Sequence, residues 1–258
     1  MAVPRAAAPA LQDQPQLSRL LDPPAGWPLA DGTDAPLPGL DRRSVVILLT
    51  AAACLYGARF GQDLRSDDWG RLARLSFWAG TQIVCYGVVP LAVWVFVLRS
   101  RPGEMGLRIR GTVRHAWVYG ALFACAVPFV LLVSTTAGFQ ERYPLLEVPL
   151  DGHVYPALAL WWVWYALQFL AIEMFFRGFL VLGLAPRLGW LSVFVSMVPY
   201  VMIHFVKPAP EAAAAIVGGL VMGYLAIRTG SIVWGAALHI GVAATMDLTS
   251  LWHRGLLW

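Results

Sequence analysis

Four ionisable side chains lie inside long apolar stretches of this sequence, where charged residues are otherwise rare. Glu173 and Arg177 share one stretch, His204 lies in the next, and His239 lies two stretches later. Because a charge at membrane depth costs about 2.5–3.5 kcal/mol even on insertion scales, such residues indicate a function. A carboxylate or an imidazole can activate water as a general base, and a second imidazole can stabilise an oxyanion. These residue types together predict a hydrolytic site.

Each of the four residues also has a plainer interpretation. Glu173 and Arg177 are four residues apart, so they share a helical face and could form a purely structural ion pair. His204 and His239 could each be a hydrogen-bonded interior histidine. Glu173, His204 and His239 also match the His₂Glu ligand set of catalytic zinc sites, although the HExxH motif is absent. The sequence therefore leaves two cofactor predictions open, either none or a divalent metal such as zinc on these three residues.

Helical rise places three of the four residues at compatible depths. Glu173 lies 14 residues before Arg187, which marks the turn between two predicted helices, and His204 lies 17 residues after it. At 1.5 Å per residue these depths are roughly 21 and 26 Å from the turn. His239 lies 10 residues beyond Thr229, the next turn on that side, and is roughly 15 Å deep. We therefore expect the glutamate and both histidines to meet inside the bundle.

Two further acidic residues are auxiliary candidates for the same site. Asp247 lies eight residues after His239, on the same helical face but nearer the membrane surface. Glu211 begins the sixth predicted helix, just after Pro208 and Pro210. Both positions are near the predicted membrane surface, where solvated acids are ordinary, so a plain surface role is the alternative.

The elements that must position these residues are membrane helices. The chain is 59% hydrophobic and 13% charged, whereas soluble domains average about 25% charged residues. A spanning helix needs about 20 mainly apolar residues. The predicted fold is thus all-α, a polytopic transmembrane bundle of about seven helices. The predicted segments are 44–58, 75–98, 116–137, 157–184, 190–206, 212–227 and 232–251.

Composition also divides the chain and predicts its orientation. Residues 1–40, rich in Pro and Ala, are predicted to be a disordered cytoplasmic tail, and residues 41–258 a single integral membrane domain with its motif core at 157–250. The formal net charge of +4 comes almost entirely from arginine, which is densest between the second and third predicted helices. The positive-inside rule places that connection in the cytoplasm and predicts no nucleic-acid partner.

The motifs resemble those of the CPBP family, which contains type II CAAX prenyl endopeptidases and bacteriocin-processing or immunity proteins. The motifs are Glu173-Met-Phe-Phe-Arg177-Gly178, Tyr200-Val-Met-Ile-His204 and the late His239. Arg108, in Met-Gly-Leu-Arg, lies in a stretch similar to the basic loop before the family's core. The resemblance covers about residues 99–250, and the order and spacing of the motifs make it specific.

The resemblance implies an intramembrane endopeptidase that acts on a membrane-associated protein or peptide. Carried over residue by residue, Glu173 and His204 activate water, Arg177 orients Glu173, and His239 stabilises the oxyanion. The expected location is a cell membrane, namely the bacterial plasma membrane, and the lipid bilayer is an expected partner. The oligomeric state, the substrate and the use of prenylated substrates are left open.

Two departures from the family pattern keep other functions in view. Ile172 stands where the family has a first glutamate, and Ala243 stands where it usually has Asn or Asp. These substitutions favour a catalytically inactive relative that acts as a membrane interaction protein. A small transporter that uses Glu173 and the histidines as a proton relay is a third alternative. If catalysis is retained, Asp247 or Glu211 would have to replace the polar groups that are missing at positions 172 and 243.

Overall fold

The elements of the described chain are all helical, which confirms the predicted all-α fold. The computed structural model describes residues 41–146 and 154–255. The tail predicted at residues 1–40 lies outside this range, so the predicted division into tail and membrane domain stays a prediction.

Eight helices follow one another in the described ranges, joined by turns and short 3₁₀ segments. The first four are α1 (Arg42–Phe60), α2 (Arg71–Val97, with π-helical stretches at Val84–Val88 and Val93–Val97), α3 (Ala116–Val133) and α4 (Ala137–Arg142). Helix α5 is α-helical over Val154–Glu173, π-helical over Met174–Leu182 and α-helical again over Gly183–Leu188. The last three are α6 (Leu191–Met202), α7 (Ala209–Thr229) and α8 (Val233–His253).

The helices have the lengths expected of a polytopic membrane protein. Among the described residues, five helices are long and apolar enough to cross a membrane, namely α1, α2, α3, α5 and α7. Helix α6 is apolar but has only 12 residues, and α8 has 21. All seven predicted segments are therefore helical, and a polytopic bundle is confirmed.

Two helices end earlier than the sequence pattern predicts. The third predicted segment was expected to reach Ala137, but α3 ends at Val133 because the hydroxyls of Ser134 and Thr136 donate to the carbonyls of Leu131 and Val133. The fifth was expected to reach residue 206, but α6 ends at Met202. Pro208 disfavours helical backbone just before it, so the chain turns between these points.

Helix α5 is the central helix of the bundle. Its residues 171–185 are buried on every side, as expected of a helix that is apolar all round. Its packing partners are α1, α2, α6, α7 and α8. Gly183 brings it against the side chains of Ile47 in α1 and Trp94 in α2, where a Cβ would lie about 3 Å from both. The segment that holds Glu173 and Arg177 is therefore shielded from lipid.

Small residues let α6 and α7 approach each other closely, as the Gly219–Gly223 spacing predicts. A Cβ on Gly223 would lie 2.8 Å from the side chain of Val193. A Cβ on Gly219 would lie 3.0 Å from Met197 and 3.2 Å from the ring of Tyr200. This close packing fixes the position of Tyr200 beside α7.

The connection between α2 and α3 closes one end of the bundle. Met105 is fully buried, and a Cβ on Gly178 would lie 2.6 Å from its carbonyl oxygen. The backbone N–H of Ile232, just before α8, donates to the carbonyl of Gly106 at 3.0 Å. Arg108 donates to the carbonyls of Thr229 and Gly230. The connection thus joins the π-helical part of α5 to the start of α8, and Arg108 satisfies carbonyls that α7 leaves unpaired at its end.

Candidate active site

Glu173 holds together two of the predicted site residues. Its side chain is fully buried, and its Oε1 lies 3.1 Å from Nη1 of Arg177 and 3.1 Å from Nδ1 of His239. Two cationic or donor groups therefore share one carboxylate oxygen. A buried carboxylate needs such partners, because an uncompensated charge in an apolar interior is strongly unfavourable.

Arg177 also connects α5 to the helices on its other side. Its Nη2 donates to the carbonyl of Gly218 in α7 at 3.3 Å, and its guanidinium lies 4.0 Å from the ring centre of Tyr200 in α6. An arginine over the face of an aromatic ring gains a cation–π interaction. Arg177 thus fixes Glu173, Tyr200 and α7 relative to one another.

His204 lies in the turn after α6 and has a defined tautomer. Its Nδ1 is 2.7 Å from the carbonyl oxygen of Tyr200. A carbonyl only accepts hydrogen bonds, so Nδ1 carries the proton, and Nε2 carries a lone pair while the ring is neutral. Among the described residues, Nε2 of His204 has no hydrogen-bond partner. This nitrogen can therefore accept a proton from water.

Both histidines line one cavity of about 380 Å³. Helices α3, α4, α5, α6, α7 and α8 and the turn after α6 line it, and its walls are mostly apolar. Its polar lining residues are Tyr165, Tyr200, His204, Lys207, Glu211 and His239. The ring centre of Tyr200 lies 4.7 Å from that of His204 and 6.4 Å from that of His239. The two imidazoles therefore flank one tyrosine ring, whereas Glu173 lies behind His239 and is not part of the lining.

Of the two auxiliary acids, only Glu211 reaches this cavity. It forms an ion pair with Lys207 and accepts a 2.9 Å hydrogen bond from the hydroxyl of Tyr143. Burial raises the pKa of Tyr143, so its hydroxyl stays protonated and able to donate. Asp247 is buried at 1% exposure and accepts from the indole N–H of Trp162 at 3.2 Å. Asp247 is not among the lining residues.

The residues do not form a metal ligand set. Across residues 41–146 and 154–255, no group of three His, Cys, Asp or Glu side chains is arranged to hold a metal ion. Oε1 of Glu173 is already engaged by Arg177 and His239, and Nδ1 of His204 by a carbonyl. A zinc site on Glu173, His204 and His239 stays a prediction from their residue types alone.

The two residues that depart from the family pattern, Ile172 and Ala243, are buried apolar side chains in the structure. Ile172 is 6% exposed and belongs to the hydrophobic core, and Ala243 is 4% exposed and lines the cavity. Neither side chain offers a hydrogen bond. The polar groups that meet at this part of the cavity are therefore the two histidines and Tyr200.

Sequence reasoning missed three features of this site. The π-helix begins at Met174, immediately after Glu173, and π-helical turns are frequent at functional sites. The ring of Tyr200 lies near both histidines, whereas the sequence indicated it only as the first residue of the motif that ends at His204. Gly235 in α8 faces Glu173, since a Cβ there would lie 3.2 Å from Oε2. No pattern in the sequence indicates that contact.

Comparison with known families agrees with the motifs. The family model described as type II CAAX prenyl endopeptidase Rce1-like matches residues 154–245. This range holds Glu173, Arg177, His204 and His239, and the match confirms the resemblance to the CPBP family. It supports a membrane protease at the level of the family and gives no support for a metalloprotease. No curated protein and no solved structure matched the chain.

Proposed function

We propose, from the match of residues 154–245 to the Rce1-like family model, that the protein is an intramembrane endopeptidase that hydrolyses a peptide bond of a membrane-associated protein. The observation that carries the proposal is the pair of imidazoles on one apolar cavity, each with Nδ1 engaged. Glu173 engages His239 from behind, and the Tyr200 carbonyl engages His204. Two imidazoles with such fixed orientations are what general-base and oxyanion chemistry need.

The first step that this geometry supports is activation of water by His204. Its Nε2 accepts a proton as the water oxygen bonds to the carbonyl carbon of the scissile peptide. Because Nδ1 of His204 donates to the carbonyl of Tyr200 at 2.7 Å, the ring is held in the tautomer that this step requires. The carbonyl electrons move onto oxygen and give a tetrahedral oxyanion.

His239 is suited to the oxyanion. Its Nδ1 lies 3.1 Å from the carboxylate of Glu173, so when both ring nitrogens carry protons, Nδ1–H donates to Glu173 and Nε2–H can donate to the new negative charge. As the intermediate collapses, protonated His204 returns its proton to the leaving amine. In this scheme Glu173 is a positioning residue that acts through His239. A direct action of Glu173 on water, which the family resemblance implies, remains the alternative.

The surroundings of the cavity suit a substrate that arrives through the bilayer. Helix α3 packs on α8, and α7 packs on α6 and on the π-helical part of α5. The cavity lies between these two groups of helices. Val217 in α7 and Phe129 in α3 line it, and their side chains are 63% and 45% exposed. An apolar peptide segment could therefore enter the cavity laterally from the bilayer. We further propose that the protein lies in the bacterial plasma membrane.

The test is a census of protein N- and C-termini in membranes of cells that express the wild type or Glu173→Gln. A matched control is Glu104→Gln, the same chemical change at an exposed residue at the closed end of the bundle. New termini in the wild type and in Glu104→Gln, but not in Glu173→Gln, would support the protease and name its substrate. Identical termini at equal protein abundance would refute it and favour the inactive relative, which Ile172 and Ala243 already suggest.

A further inference from the structure

The candidate active site occupies only one half of the bundle. Helix α3 lines the cavity from Leu122 to its end at Val133, and α7 lines it from Glu211, in the first turn of the helix, to Met222. His204 and Lys207 belong to the turn that joins α6 to α7. The cavity is therefore near the end of the bundle where α3 ends and α7 begins.

Helix α4 and the two residues that follow it lie at this same end. Phe139 of α4 lines the cavity, and Tyr143 donates to Glu211. Arg254, just after α8, donates to the carbonyls of Gln140 and Tyr143 at 2.9 Å each. Contacts from three connections thus identify one end of the bundle, which we call the cavity end.

The opposite end holds the Met105–Arg108 turn and most of the arginines. Arg43 at the start of α1 donates to Ser100 at 3.0 Å and to the carbonyl of Gly183. Together with the contacts of Arg108 to the end of α7, these bonds bring four parts of the chain to one end. The arginines there are Arg42, Arg43, Arg99, Arg101, Arg108, Arg110, Arg114, Arg187 and Arg228.

The cavity end has fewer basic residues among those that the structure describes, and they are interspersed with acids. Its basic residues are Arg59, Arg65, Arg71, Arg74, Arg142, Lys207 and Arg254, and its acids are Asp63, Asp67, Asp68, Glu141 and Glu211. The densest basic connection, between α2 and α3, lies at the other end. Lys and Arg in short connections are retained in the cytoplasm during insertion. The arginine-rich end is thus the cytoplasmic one.

We infer that the cavity opens toward the extracytoplasmic side, so that the substrate is a peptide segment presented at the outer leaflet. This inference rests on the proposed function and narrows it. It excludes cytoplasmic tails, including lipidated C-termini that are exposed only on the inner face. At the other end, the fully buried Met105 packs against Gly178 of α5, and no residue of the Met105–Arg108 turn lines the cavity.

Cysteine labelling measures the orientation without requiring catalysis. Cys54, Cys85 and Cys125 are replaced by alanine, and single cysteines are then introduced as Glu141→Cys at the cavity end and Glu104→Cys at the other end. Both glutamates are exposed, and both changes remove the same charge. Intact cells and permeabilised cells are treated with a membrane-impermeant maleimide.

The inference predicts that Glu141→Cys labels equally in intact and permeabilised cells, whereas Glu104→Cys labels only after permeabilisation. The reverse pattern would overturn it, and so would labelling of both cysteines in intact cells, which would mean insertion in both orientations. The termini census then locates the cut. Termini that depend on Glu173 but lie in cytoplasmic segments would overturn the inference and still support the proposed protease function. If no termini depend on Glu173, the proposed protease function is refuted, and the labelling result stands independently.

Discussion

The buried ion pair between Glu173 and Arg177 allows stability and activity to be separated. Removing both charges should restore most of the stability that removing one charge costs, but it should not restore cleavage. The two charges are 0% and 2% exposed, and their atoms Oε1 and Nη1 are 3.1 Å apart. Removing one charge of a buried pair typically costs about 3–5 kcal/mol, because the partner is left uncompensated, while removing both is close to neutral. Arg177→Met strands the carboxylate, so we expect it to lower the free energy of unfolding by roughly 3 kcal/mol.

The double variant Glu173→Gln/Arg177→Met removes both charges at nearly constant volume. The glutamine can still accept from His239, so we expect about 1–2 kcal/mol of the loss to remain, reflecting the lost contacts of Arg177 with Gly218 and Tyr200. The free energy of unfolding of the double variant should thus recover in large part, whereas its cleavage activity should not. A neutral amide places no negative charge behind His239, so the proposed oxyanion site loses the electrostatic support of the carboxylate.

The assay combines thermal unfolding of detergent-purified protein with cleavage of the substrate that the termini census identifies. Wild type, both single variants and the double variant are compared, which gives the coupling free energy between the two positions. Two results would refute the reasoning. A double variant no more stable than Arg177→Met would show that the charge pair does not set stability, and a double variant with wild-type cleavage would remove Glu173 from the mechanism.

Three further substitutions test the packing and chemistry of the site. Gly235→Ala would place a Cβ 2.8 Å from Met222 and 3.2 Å from Oε2 of Glu173, so the cleavage rate should fall by on the order of 10²-fold while the fold survives. The control is Gly241→Ala in the same helix, whose Cβ would meet only the ring edge of Phe123. Equal cleavage rates of the two variants would contradict the prediction. His204→Ala should abolish cleavage, while the abundance of the protein in the membrane should stay unchanged. Cleavage by this variant at the wild-type rate would exclude His204 as the base. Gly178→Ala would bring a Cβ to 2.6 Å from a backbone oxygen, so its thermal unfolding temperature should fall more than that of Gly235→Ala, and an unchanged temperature would contradict the close approach of the Met105 turn to α5.

The π-helix after Glu173 links the packing of α5 to the chemistry. A π-turn widens the helix and shifts the faces that the following residues present. Here the nine residues Met174–Leu182 are all buried, and they contact α6, α7 and the Met105 turn. Arg177 can thus reach Glu173, Tyr200 and α7 at once. Rigid neighbours on every side are what a precisely positioned ion pair requires.

The sequence by itself determined the class of the protein and the residues worth attention. Length and apolarity alone require helices in a bilayer, since every backbone polar group must be satisfied within the segment. A charge in such a segment is costly, so Glu173, Arg177, His204 and His239 stood out without any structure. The helical rise also predicted that they would meet, because antiparallel helices of known length leave little freedom in depth.

Only the tertiary structure decided how these residues are divided between the cavity and its supporting wall. Depth along a helix says nothing about the direction of a side chain, so the sequence could not show that His239 lines the cavity while Glu173 lies behind it. The same limit applied to the two auxiliary acids, of which Glu211 reaches the cavity and Asp247 does not. Rotation about each helix axis is fixed by packing, here by close contacts at Gly178, Gly223 and Gly235. Those contacts join residues far apart in the chain, and no local pattern encodes them.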